Sequence, residues 1–174
     1  YNLYITAKNR FPWLFMNLIT ACLTSMVINQ FDETISKLVT LAVVMPIVAS
    51  MGGNAGTQAM TVTVRAISNR EVNYANRFRV VTKEIYTCMI NGLLLSIIGG
   101  SLIYLVFGDP NLSLVFSFSI LINFTLAGFL GSFIPIMLNS IDIDPAPSSG
   151  VFLTAFTDAI GFFIFLSMAY FFLV

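Results

Sequence analysis

The sequence contains no histidine, only two cysteines and few charged residues. Without histidine, the chain lacks the commonest ligand for zinc and other transition metals, and it cannot form a Ser-His or Cys-His catalytic pair. Both cysteines, Cys22 and Cys88, lie in apolar stretches with no chemical partner nearby, so we interpret them as small apolar side chains. These absences argue against a transition-metal site and against common forms of nucleophilic catalysis.

Charged residues make up 9% of the chain, whereas hydrophobic residues make up 57%. Because soluble domains contain about 25% charged residues, this sequence has too little polar surface to cover a globule in water. The formal net charge is zero, which argues against nucleic-acid binding, since that requires a basic surface. We therefore expect an integral membrane protein.

Five apolar runs are long enough to cross a membrane as helices. The second run spans about 30 residues, or about 45 Å as a helix, which exceeds the hydrocarbon thickness of about 30 Å. This span is therefore either strongly tilted or broken, and Pro46 or the glycine cluster at 52–56 could break it. The sequence predicts an all-α membrane protein whose spans cover about 11–31, 38–67, 85–107, 112–138 and 151–174.

Basic residues are distributed unevenly between the two sides of the predicted bundle. Five spans place the N-terminus and the loops at 69–84 and 139–150 on one side, which holds seven of the eight Lys and Arg residues. The positive-inside rule then predicts a cytoplasmic N-terminus and an external C-terminus in the plasma membrane.

Asp158 is the only acidic residue inside the predicted spans. Its position places it near mid-bilayer, where insertion scales assign a carboxylate a cost of about 2.5–3.5 kcal/mol. A cation, a water-filled cavity or protonation could offset this cost. A structural hydrogen bond to another helix is the alternative. Gly150, Thr154 and Gly161 share its helical stripe, which suits either an aqueous lumen or close helix packing.

Two further groups of residues could serve a cation. The segment Gly52–Gln58 lies deep in the second span, where unwound carbonyls could bind a hydrated ion, although the glycines suit a tight helix crossing equally well. Asp142 and Asp144 precede the fifth span. They could form a cation vestibule, or they could simply be favoured by the positive end of the helix dipole.

At these residues the sequence resembles the MgtE family of magnesium transporters. Residues 46–58 (PIVASMGGNAGTQ), followed by Arg65-Ala66, are similar to the family signature, and so are residues 144–146 (DPA) and 157–161 (TDAIG). The similarity extends over essentially the whole chain. It implies a homodimer with five helices per subunit and one pore on the two-fold axis, lined by the second and fifth helices.

The resemblance also implies roles for single residues. Asp158 would be the pore aspartate that binds hydrated Mg²⁺, Thr154 would contribute a backbone carbonyl, and Asp144 would be the acid near the cytoplasmic mouth. Gly150 departs from the family, because the corresponding position can carry Asn. The residues expected to line or shape the pore are Gly52, Gly53, Asn54, Gly56, Thr57, Thr157 and Gly161.

We therefore interpret residues 1–174 as a single transmembrane pore domain that transports Mg²⁺ and is not an enzyme. Other divalent cations are further candidate substrates. Mg²⁺ is expected only as the transported ion. The resemblance implies a cytoplasmic regulatory domain, which this chain does not contain, in the full-length protein. Three alternatives remain open: a Na⁺- or H⁺-coupled Mg²⁺ carrier, an intramembrane aspartyl protease with one Asp per subunit, and a non-transporting assembly subunit.

Overall fold

The structure, a computed structural model, describes residues 2–173 and is helical apart from short connections within that range. Five of its helices are long and apolar enough to cross a membrane, which confirms the five predicted spans. Tyr1 and Val174, the ends of the predicted pore domain, lie outside the described residues. The helices are α1 Leu3–Asn29, α2 Asp32–Lys37, α3 Thr40–Ser68, α4 Arg77–Phe107, α5 Pro110–Ser140 and α6 Pro145–Phe172.

The polar connection between the first two spanning helices is itself helical. The short helix α2 carries Asp32 and Glu33 in its first turn and Lys37 in its last turn. This arrangement places negative charge at the positive end of the helix dipole and positive charge at the negative end. Local electrostatics therefore favour a helical turn between the two spans.

The second span, α3, is one continuous helix, so the prediction that it could be broken is wrong. It continues through Pro46 and through the glycine cluster without interruption. The glycines serve a close helix crossing instead. A Cβ atom on Gly131 of α5 would lie 2.5 Å from the carbonyl oxygen of Gly56, a separation that side chains do not tolerate.

Helix α5 forms the centre of the bundle. It packs against α3, α4 and α6, while α1 packs on α6 at the periphery and α4 contacts α3 only weakly. Small residues bring α4 and α5 together, since Ser113 Oγ donates a hydrogen bond of 2.5 Å to the Gly100 carbonyl and Ser117 Oγ donates one of 3.0 Å to the Ser96 carbonyl. Such contacts replace the hydrophobic driving force that is absent between helices in lipid.

The close crossing of α3 and α5 predicts a position-specific effect of added volume. We expect Gly131→Ala to lower the stability of the detergent-solubilised protein by about 1–3 kcal/mol, because the new methyl group meets the α3 backbone. Gly53→Ala is the matched control, since a Cβ at Gly53 has no neighbour within 4 Å. Thermal unfolding of both variants measures the difference, and equal melting temperatures would contradict the crossing.

Candidate functional site

Asp144 is the N-cap residue of α6. A side-chain oxygen of Asp144 accepts a hydrogen bond of 3.1 Å from the Ala146 backbone N–H, and Ser148 Oγ donates one of 2.6 Å to the Asp144 carbonyl. Pro145 occupies the first helical position, where its fixed φ and missing N–H fit a helix start. Asp142 and Asp144 are both exposed at this end of the bundle, so either carboxylate can meet a cation in solvent.

Asp158 lies at the middle of α6 and is half-buried. The hydrogen bonds around it are made by its neighbours, and within residues 2–173 none involves its carboxylate. In the same part of the chain, no three Asp, Glu or Cys side chains form a group that could hold a metal ion. Within the described chain, the carboxylate of Asp158 therefore has no hydrogen-bonding side chain and no second acidic ligand beside it.

The predicted stripe on α6 is divided between the surface and the interior. Thr154 is exposed and Gly150 is half-buried, one and two turns before Asp158. Thr157 and Gly161 are buried instead, and Thr157 Oγ1 donates a hydrogen bond of 2.8 Å to the Leu153 carbonyl. Only the Gly150, Thr154 and Asp158 part of the stripe can therefore face water or a second subunit.

Helix α3 carries a row of exposed polar side chains at mid-length, which we call the α3 polar stripe. Its spacing of i, i+3, i+4 and i+7 places the four side chains on one helix face. The two threonine hydroxyls donate to helix carbonyls one turn earlier at 2.8 Å, which leaves the two amides free to bind other partners. The stripe consists of Asn54, Thr57, Gln58 and Thr61.

The other face of α3 is apolar or small and packs into the bundle. Gly52 and Gly56 are buried there, whereas Gly53 is half-buried with open space around it. A Cβ atom on Gly56 would lie 3.0 Å from Leu153 Cδ1 of α6, so this glycine lets α3 and α6 approach closely. The expected unwound carbonyls at this cluster are absent from the described chain, because the backbone stays helical. Helix α3 therefore packs on the helix that carries Asp158 through its buried face, and the α3 polar stripe points away from this contact.

A wide cleft reaches α6 between α1 and the first turns of that helix. Its volume is about 820 Å³, and Gly150 and Thr154 line it on the α6 side. The α1 side combines three polar residues with Trp13 and Leu14. The sequence did not predict this lining, because the pattern within one helix does not indicate which faces of two helices meet. The α1 residues in the cleft are Asn9, Arg10, Trp13, Leu14 and Asn17.

Asn123 lies near the middle of α5 and packs between α3 and α6. Its side chain is 5% exposed, and its amide nitrogen is buried without a hydrogen-bond partner among residues 2–173. This nitrogen lies 3.2 Å from the position of a Cβ on Gly161, and Asn123 Cβ lies 3.8 Å from the corresponding position on Gly52. The amide therefore fills the space between α3 and α6, one turn beyond Asp158.

Comparisons with known proteins identify a family and several relatives by sequence. The family described as MgtE, divalent cation transporter, matches residues 45–168, a range that includes the α3 polar stripe, Asp144 and Asp158. Three similar proteins carry the name magnesium transporter MgtE. They come from Bacillus subtilis (30% identical over 95% of this chain), Enterococcus faecalis (31% over 94%) and Thermus thermophilus (29% over 92%). The matched regions cover 37%, 36% and 35% of those relatives, so the chain spans little more than a third of their length.

Proposed function

The chain belongs to the MgtE family of divalent cation transporters, a family of transporters rather than enzymes, and from this premise we propose that it forms the ion pathway of a Mg²⁺ transporter. Its five spanning helices fit a multi-pass protein of the plasma membrane. The observation that supports the proposal most strongly is that α3, which exposes the α3 polar stripe, packs against α6, which carries the half-buried Asp158. Exposed amides and a carboxylate at membrane depth are unfavourable against lipid, but they are favourable against water and cations.

The proposed pathway contains a hydrated ion at Asp158. Mg²⁺ prefers oxygen ligands and gives up its water reluctantly, so proteins hold it with one or two carboxylates and retained waters. One Asp158 from each subunit supplies that pair. Thr154 contributes its backbone carbonyl one turn earlier, while Asp144 and Asp142 raise the local cation concentration at the mouth. Other divalent cations of similar preference are further substrates of this site.

A homodimer gives the polar faces of α3 and α6 a partner. In a two-fold arrangement the same surface of each subunit meets its copy, so both α3 polar stripes and both Asp158 residues line one passage. Gly53, Asn54 and Thr57 lie on the open side of α3, whereas the buried Gly52, Gly56, Thr157 and Gly161 hold α3 and α6 in place. Residues 1–174 thus act as one pore domain.

The proposed orientation follows from charge. Helices α1, α4 and α6 begin, and α3 and α5 end, on the side that holds seven of the eight Lys and Arg residues, so we place this side and the N-terminus in the cytoplasm. The C-terminus then lies outside. Because the relatives are much longer, we also propose that a cytoplasmic regulatory domain accompanies this pore domain in the full-length protein.

Asp158→Asn tests the ion site directly. We expect it to lower Mg²⁺ flux into proteoliposomes by at least about tenfold, since it removes the charge that attracts the hydrated ion. Asp109→Asn is the matched control: it makes the same change at the half-buried N-cap of α5, where Asn also caps a helix. Flux should be driven by the Mg²⁺ gradient alone, without a Na⁺ or pH gradient. Wild-type flux in Asp158→Asn would contradict the proposal.

Cysteine cross-linking tests the homodimer. In a variant lacking Cys22 and Cys88, we expect Asn54→Cys and Thr57→Cys to form dimers in membranes treated with an oxidant or a short bis-maleimide. Leu94→Cys on the exposed apolar face of α4, which is 55% exposed, should remain monomeric under the same conditions. Dimer bands at residue 94 but not at residues 54 and 57 would place the subunit contact on α4 instead of α3 and would contradict the proposed homodimer.

A further inference from the structure

A groove between the start of α4 and the end of α5 lies outside the proposed ion pathway. It has a volume of about 320 Å³, which lies within the range of small-molecule sites. Arg77 lies at one end of the groove, and apolar and aromatic side chains form most of the rest. The lining residues are Arg77, Phe78, Val81, Phe129, Phe133, Ile136, Met137 and Ser140.

Arg77 is held in place but has no anionic partner in the part of the chain that the structure describes. Its guanidinium carbon lies 4.0 Å from the ring centre of Tyr74 and 5.0 Å from that of Phe78, so two aromatic rings orient the charge. Its Nε–H group is buried and has no hydrogen-bond partner in the described chain. A buried guanidinium donor normally meets a carboxylate or a phosphate.

The loop before α4 fixes this arrangement. The backbone N–H of Asn73 donates to the Asn76 side chain at 2.7 Å, and the backbone N–H of Asn76 donates to the Asn73 side chain at 2.9 Å. Asn76 Nδ2 also donates to the Glu71 carbonyl at 2.8 Å. These three bonds set the position of Tyr74, and with it the position of Arg77, before any ligand binds.

An apolar track continues from Arg77 toward the middle of the membrane. Met137, Phe133 and Phe129 are spaced four residues apart on α5 and are 42%, 39% and 37% exposed. The rings of Phe129 and Phe133 stack with centres 5.1 Å apart. At 1.5 Å per residue, this track extends for about 12 Å from the charged end of the groove into the hydrocarbon region.

From this combination we propose that the α4–α5 groove binds one phospholipid with an anionic headgroup, whose phosphate accepts a hydrogen bond from Arg77 and whose acyl chain follows Met137, Phe133 and Phe129. A charge at the membrane interface above an apolar track matches a lipid, whereas a soluble anion would leave the track uncovered. A second copy of the chain fits the groove less well, because the proposed subunit contact is on α3 and α6. Helix α4 contacts α3 only weakly and packs mainly on α5.

Native mass spectrometry of the purified protein in mild detergent measures the proposed binding. Phosphatidylglycerol and phosphatidylcholine with identical acyl chains serve as the two probes. We expect the wild-type protein to prefer phosphatidylglycerol and Arg77→Gln to bind it about tenfold more weakly, since a charge-assisted hydrogen bond is lost. Arg79→Gln is the matched control, because Arg79 is exposed, lies outside the groove and makes the same charge change.

Two more variants separate the headgroup from the acyl chain. Arg77→Lys keeps the positive charge but removes the Nε–H group, so it should lose part of the preference for phosphatidylglycerol over phosphatidylcholine. Phe133→Ala should weaken the binding of phosphatidylglycerol and of phosphatidylcholine equally. If Arg77→Gln and Arg79→Gln lost the same affinity for phosphatidylglycerol, the effect would come from general surface charge, and the proposed site would be contradicted. Displacement of the lipid by millimolar inorganic phosphate or glycerol phosphate would also overturn it in favour of a small-anion site. Unchanged size-exclusion profiles verify that each variant is folded.

Discussion

A carboxylate at the middle of a membrane requires water, a cation, a proton or a hydrogen-bond donor to compensate it. Asp158 lies at that depth on α6, and the described chain gives its carboxylate no partner. The exposed amides of Asn54 and Gln58 face the same constraint on the neighbouring helix. An aqueous passage shared by two subunits would satisfy all of these groups at once, and the proposed function depends on this single requirement.

The rest of the bundle makes the juxtaposition of α3 and α6 possible. Helix α5 packs on both of them, and Gly131 lets it approach the α3 backbone at Gly56. Small residues therefore replace apolar bulk at the crossings, so α3 can bury one face and still present polar side chains on the other. The α4–α5 groove lies away from this assembly, and the proposed lipid there would stabilise the outer side of the same central helix.

Hydrophobic length predicted all five spanning helices, because a long apolar run has few other stable structures. The continuity of α3 could not be predicted, since glycines at 52–56 fit either a break or a close crossing until Gly131 is known to lie opposite. Helical spacing also placed Gly161 on the stripe of Asp158, but Asn123 of α5 occupies the space beside it. The α1 lining of the cleft near Thr154 depends likewise on which helix faces meet, and spacing within one helix carries no such information.

The central claim is that the polar faces of α3 and α6 contact water inside the membrane. Reaction of Thr154→Cys with a charged, membrane-impermeant thiol reagent tests it most directly, in a variant that lacks both native cysteines. We expect this cysteine to react and Mg²⁺ to slow the reaction, while Leu94→Cys on α4 stays unreactive. If Thr154→Cys were as unreactive as Leu94→Cys in the intact membrane, this face would lie against lipid, and the account of an ion pathway would be contradicted.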